Sequence, residues 1–230
     1  MQKINRLAIV GMGVMLMGSL TSLASTNIVA KGVKGITGSY HDFSSDSWNT
    51  SHSLCTVCHS MHNTDVNKLV PLWTHETTAQ TFTMYDSPTL PLSLAGTQPS
   101  GTTKACLSCH DGITAVNSYG GKTNGTYTVI TGTAAIGTDL SHNHPISFNY
   151  DSAQANDPTG LHSSSDVIAT SLTAGFAGKT VKQAMLRNST TMECSSCHDI
   201  HRQRGNSYNS GIYTVASSAY GELCLICHIK

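Results

Sequence analysis

The sequence predicts a mostly irregular chain with short α-helices and little β-structure, held together by something other than an oily core. Three observations carry that expectation. Of 230 residues, 39% are hydrophobic and 11% charged, which leaves few large apolar side chains for a generous core. Gly, Ser and Thr dominate the long stretches between the cysteines, a composition that on its own points to loops or disorder. All eight cysteines fall into four copies of one pattern, Cys55-Thr56-Val57-Cys58-His59, Cys106-Leu107-Ser108-Cys109-His110, Cys194-Ser195-Ser196-Cys197-His198 and Cys224-Leu225-Ile226-Cys227-His228.

From the N-terminus, Lys3 and Arg6 form a basic stretch, Leu7 to Leu20 an apolar run of 14 residues, and Ser22-Leu23-Ala24 a small-x-small site. This reads as a secretory signal over residues 1–24, with cleavage after Ala24 or alternatively after Ala30. The run contains three glycines and falls short of the roughly 20 residues that span a bilayer. Residues 25–230 are then expected to form a single domain with no membrane span, placed at the outer surface or outside the cell, with the periplasm as the alternative. The formal net charge of zero argues against a nucleic-acid or anionic-membrane partner, since both need a basic surface. It also removes self-repulsion between identical copies.

The motif starts lie 51, 88 and 30 residues apart, too uneven for a solenoid. Each CxxCH is expected at a short helical turn. Thr126 to Thr131 alternates well enough for a short strand, and Thr180 to Arg187 has the pattern of a helix. Gly120-Gly121, Asn124-Gly125 and Asp157-Pro158 mark turns.

The chemistry follows from the spacing. In c-type attachment two thiols separated by two residues form thioethers with one porphyrin, and the following histidine ligates the iron. Cys55, Cys58, Cys106, Cys109, Cys194, Cys197, Cys224 and Cys227 would therefore hold four haem c groups, with His59, His110, His198 and His228 as the proximal ligands. Zinc is one alternative, but a tetrahedral thiolate site does not require a histidine after every second cysteine. A disulfide framework, which export would permit, ignores the four histidines as well.

Eight further histidines compete for the opposite faces of the irons: His41, His52, His62, His75, His142, His144, His162 and His201. Met61, Met84, Met185 and Met192 are the competing thioether ligands. His62 and His201 follow a proximal histidine by three residues, so each shares a helical face with it. Neither can reach the far side of that same iron, and each must ligate another haem or none. His75 in PLWTH and His144 in HNHP stand beside Trp73 and Pro145, which stiffen the backbone. His52, His142 and His162 read as polar loop residues.

An ordered set of segments carries a resemblance: His41-Asp42-Phe43-Ser44, CTVCHSMHN, PLWTH, CLSCHDG, DLSHNHPISF, CSSCHDIH and a final CLICH. Over Tyr40 to Lys230 the chain resembles exported bacterial tetrahaem cytochromes with doubled CxxCH motifs, a group that includes the OmcE-like filament-forming nanowire cytochromes. The resemblance implies a multihaem cytochrome c fold, bis-histidine ligation, low potentials and extracellular electron transfer. It implies redox partner cytochromes and acceptors such as metal oxides. It also implies His62, His75, His144 and His201 as distal ligands, with His41 a fifth candidate for four places. A head-to-tail filament of identical copies is expected, in which His62 ligates a haem of the neighbour. The alternatives are a monomeric periplasmic shuttle, a multihaem reductase with an open haem site, and a docking subunit for a membrane quinol oxidoreductase.

Overall fold

Short local structures, each started by a recognisable residue, make up the fold. The computed structural model describes residues 35–61, 70–96, 98–168, 176, 178–186, 189–201 and 221–230, all within one compact unit, Lys31–Lys230. The helices are α1 (Leu92–Ala95), α2 (Gly101–His110), α3 (Tyr150–Asn156), α4 (Val181–Ala184), α5 (Cys194–Cys197) and α6 (Glu222–Leu225), with a 3₁₀ turn at Gly132–Ala134. The strands are β1 (Ser118–Tyr119), β2 (Lys122–Thr123), β3 (Phe148–Asn149) and β4 (Thr191–Met192). They pair antiparallel as β1–β2 and β3–β4.

Turn chemistry explains the first sheet. Ser118 faces Thr123 and Tyr119 faces Lys122, leaving Gly120-Gly121 as a two-residue turn with φ of 66° and 79°. Both angles lie in the left-handed region that glycine enters without a Cβ penalty. The strand expected at Thr126 to Thr131 does not form. That stretch is unpaired coil, and Tyr127 is exposed. Alternation alone did not supply a partner strand there. Of the helix expected over Thr180 to Arg187, Val181–Ala184 forms α4, opened by a Thr180–Gln183 capping box that satisfies two otherwise orphaned N–H groups; Met185 and Leu186 are not helical, and Arg187 lies outside the described residues.

The second sheet positions the third motif. Phe148 faces Met192 and Asn149 faces Thr191, so Cys194 begins two residues beyond a strand anchored on the 147–150 segment. Around this sheet Tyr150, Phe176, Met185, Leu186, Met192 and Ile226 form the larger of two apolar clusters. Phe82, Met84, Leu107 and Leu140 form the smaller one. The Tyr150 hydroxyl, buried, donates to the His162 carbonyl at 2.9 Å. His162 in turn donates its backbone N–H to the Cys227 carbonyl at 2.8 Å, which seats the fourth motif on this cluster.

The first and second motifs are joined through the 70–76 stretch. Ser60 donates to Leu72 O and Thr74 to Cys58 O, both at 2.9 Å. On the other side Glu76 donates to Ser118 O at 2.8 Å, and Gly120 to Thr74 O at 3.1 Å. Among the described residues no helix is long and apolar enough to cross a membrane.

Candidate haem sites

Each attachment motif is one α-turn. His59, His198 and His228 each donate their backbone N–H to the carbonyl of the first cysteine of their own motif, at 2.7, 3.0 and 2.8 Å. The second motif forms the last turn of α2. Residues three apart on such a turn share a face, so both thiols of one motif face the same way, as attachment to one porphyrin requires. All eight cysteines are free of disulfides.

Burial holds the second thiol of each motif protonated. Cys58 is pushed up to about 11 by burial and by the neighbouring Cys55. Cys197 is likewise pushed up to about 11 by burial and then by Cys194 and Cys224. Cys227 reaches about 12, again chiefly through burial. The same influences show that the motifs are neighbours. Cys58 acts on Cys109, Cys106 shares a hydrogen bond with Cys194, Cys224 acts on Cys197, and Cys197 acts on Cys227.

The histidines meet across gaps of one characteristic size. Ring centroids of His59 and His201 are 6.2 Å apart, those of His110 and His41 6.0 Å, and those of His228 and His144 6.3 Å. An imidazole nitrogen bonds a metal at about 2 Å and the ring centre lies roughly 1 Å farther on, so two trans imidazoles hold their centroids about 6 Å apart. The interplanar angles are 28°, 53° and 83°. Each pair joins a CxxCH histidine to one distant in sequence. The residues present therefore fit a bis-imidazole iron.

Tautomers agree with that fit. His59 Nδ1 lies 2.9 Å from Pro71 O, His110 Nδ1 2.7 Å from Ala134 O, and His144 Nδ1 2.9 Å from Pro145 O. A carbonyl can only accept, so the assigned proton sits on Nδ1 and the Nε2 lone pair remains for a metal. Burial, followed by the charges of His110, His198 and His201, lowers His41 to about 4. A neutral imidazole is the form that binds metal.

No family model matches this chain, and none of the curated proteins matches it.

The remaining candidates lie in other settings. His75 is fully buried, with Nδ1 2.7 Å from Glu76 O and Nε2 3.1 Å from Val116 O. Its Nε2 also lies 3.3 Å from Cys109 Sγ, on the attachment side of the second motif. His62 lies outside the described residues. His52 Nδ1 contacts Ser44 O at 2.8 Å, His162 lies 3.6 Å from Asp166, and His142 is exposed. Met84, Met185 and Met192 are packed in the two apolar clusters, and Met61 is exposed. Beside the third motif a cavity of about 180 Å³ is lined by Leu107, Leu140, Met192, Glu193, Cys194 and His198, among others.

Two carboxylates in this region gave no signal in the sequence. Asp111 accepts four hydrogen bonds beside His110, from Thr78 Oγ1, Thr114 Oγ1, Ile113 N and Thr114 N. Glu193 spans the second and third motifs. Its Oε2 accepts from Thr103 N at 2.9 Å and its side chain caps α5. Around it Thr102 Oγ1 lies 2.6 Å from Ser195 Oγ, and Cys194 N donates to Thr103 Oγ1 at 3.0 Å.

Proposed function

We propose that this chain is an exported electron carrier holding four covalent c-type haems, and that it serves extracellular electron transfer as a subunit of a polymeric cytochrome filament. The observation that carries the reading is the facing of three CxxCH imidazoles with three imidazoles from elsewhere in the chain. Cys55 to His228 supply the thioethers and proximal nitrogens as the motifs dictate. His201, which faces His59, would serve the first haem, His41, which faces His110, the second, and His144, which faces His228, the fourth. For the third, His75 and His62 remain the candidates, His62 from this copy or from a neighbouring one.

When bound, each haem would take up and release one electron at its iron. The chain's own residues set the conditions for that. The Nδ1–H donors to Pro71, Ala134 and Pro145 fix ring orientation and keep Nε2 available. Histidines available on both sides of each haem would leave no open position for a substrate, which would favour electron transfer over turnover. Adjacent motifs keep successive porphyrins close, and the His59–His201 pair ties the first motif to the segment after the third. Cys55 and Cys224 are exposed, so the first and last attachment points reach the surface. That placement suits head-to-tail stacking, a heterologous contact that grows into a filament.

The test is to measure the secreted polypeptide by intact mass spectrometry and the purified protein by absorption spectroscopy and electron microscopy. Four added tetrapyrroles, low-spin spectra and long particles are expected. Zinc, cystines or unmodified thiols in place of the tetrapyrroles overturn the haem reading, and only monomer-sized particles overturn the filament.

A further inference from the structure

Trp73 carries a polar atom that the rest of the chain leaves without a partner. The residue is 7% exposed, and its indole Nε1–H is buried with no hydrogen-bond acceptor among the described residues. An indole nitrogen can only donate. A donor taken out of water without an acceptor costs free energy, so buried donors are nearly always paired. The backbone around it is well satisfied. Trp73 N donates to Val70 O at 3.3 Å, Ser60 N to Leu72 O and Thr74 N to Cys58 O, both at 2.9 Å. The unmet donor is therefore an exception within an ordered segment.

Its surroundings say which group meets it. Trp73 pairs with His59 through one antiparallel bridge, and its ring stands edge to face with that imidazole, centroids 6.2 Å apart at 86°. Pro71 O lies 2.9 Å from His59 Nδ1. Leu72, between them, adopts a φ of 58°, a left-handed conformation costly for a side chain of that size and kept only where the surroundings over-determine it. Three consecutive residues, Pro71 to Trp73, thus wrap the proximal histidine of the first motif. The group that His59 would hold is a porphyrin. Its rim carries methyls, the two former vinyls joined to Cys55 and Cys58, and two propionates, while its pyrrole nitrogens face the metal. The propionate carboxylates are its only strong acceptors.

We propose that Trp73 is a haem-anchoring residue whose Nε1–H donates to a propionate carboxylate of the haem held by Cys55, Cys58 and His59. The inference rests on the haem reading above. A hydrogen bond to an ionised acceptor is roughly twice as strong as one between neutral groups. This one forms only with the porphyrin in place, so it favours the loaded chain over the unloaded one. It also holds a propionate arm that would otherwise turn freely.

The test uses the haem-loaded full chain, with haem content checked by intact mass. Ultraviolet resonance Raman spectra report the hydrogen bonding of indole N–H groups. The chain has two tryptophans, Trp48 and Trp73, so subtracting the spectrum of Trp73→Phe isolates the Trp73 signal. A strongly hydrogen-bonded N–H is expected in the wild type. The second readout is infrared spectroscopy of haem labelled with a heavy carbon isotope in its propionate carboxyls. One labelled carboxylate band is expected to shift in Trp73→Phe while the tetrapyrrole count stays the same. A Trp73 N–H free of hydrogen bonding, or labelled bands unchanged by Trp73→Phe, overturns the proposal; the second result means that water or another group accepts the bond. If Trp73→Phe does not load haem, the Cys55→Ser, Cys58→Ser double variant decides. It lacks one tetrapyrrole, and the bonded N–H signal of the wild type is expected to vanish from it. Retention of that signal overturns the proposal. A wild type without tetrapyrroles sinks the haem reading instead, so the two failures are distinguishable.

Discussion

Asp111 locks the second motif to the rest of the chain, and removing it is expected to be costly. The side chain is 2% exposed. Thr78 Oγ1 and Thr114 Oγ1 donate to it at 2.7 Å, Thr114 N at 2.7 Å and Ile113 N at 2.8 Å. Thr78 and Thr114 are themselves buried. A hydrogen bond to a charged group contributes about 1.5–3 kcal/mol, but bonds sharing one acceptor do not add. Asp111→Ala leaves several buried donors without an acceptor, so a loss of about 3–5 kcal/mol is expected, within the range found for broken buried networks. Asp111→Asn keeps one oxygen for Ile113 N and Thr114 N, and the two hydroxyls can rotate to accept from the new amide. Its cost should be about 1–2 kcal/mol. Burial opposes ionisation of Asp111, yet the donors from Thr78, Thr114 and Ile113 outweigh it and hold the carboxyl below its ordinary value. A depressed folded pKa contributes stability that is present above the unfolded value of about 3.9 and is lost as pH falls through the folded one. The wild type's advantage over Asp111→Asn should therefore shrink in acid. Guanidinium unfolding of the loaded protein, followed by circular dichroism at several pH values, measures both effects. An Asp111→Ala variant within about 1 kcal/mol of wild type, or an advantage over Asp111→Asn that grows in acid, refutes this account.

Ligand removal should open the irons singly. Reduced wild type is expected to bind no carbon monoxide, His201→Ala about one per chain and the His144→Ala, His201→Ala double variant about two, one for each facing pair lost. Uptake by the wild type, or none by His201→Ala, contradicts the assignment. Gly101→Ala meets both the positive φ and the close approach to Glu193, and should cost about 2 kcal/mol in thermal unfolding. A neutral outcome would mean that the Glu193 contact gives way without penalty.

The chain's sequence by itself determined local conformation. Four CxxCH motifs, the capping residue Thr180 and the Gly120-Gly121 turn act over one turn of backbone, where residue type alone decides the conformation. The pairing of distant groups was not legible in that way. His201 could be excluded from its own motif's iron by spacing, but nothing in spacing could send it to His59, because that meeting depends on how the first and third motifs fold together. His41 stood as a surplus candidate until tertiary packing placed it opposite His110 and half-buried it. His75 stood among the foremost candidates, and only the packed chain shows its ring nitrogens near the carbonyls of Glu76 and Val116. Thr126 to Thr131 had the alternation of a strand and remained coil, since a strand needs a partner that its own residues do not specify. Glu193 and Asp111 were invisible for the same reason. A carboxylate acquires a role from the donors brought to it, and those donors come from segments that only the packed chain brings within hydrogen-bonding reach.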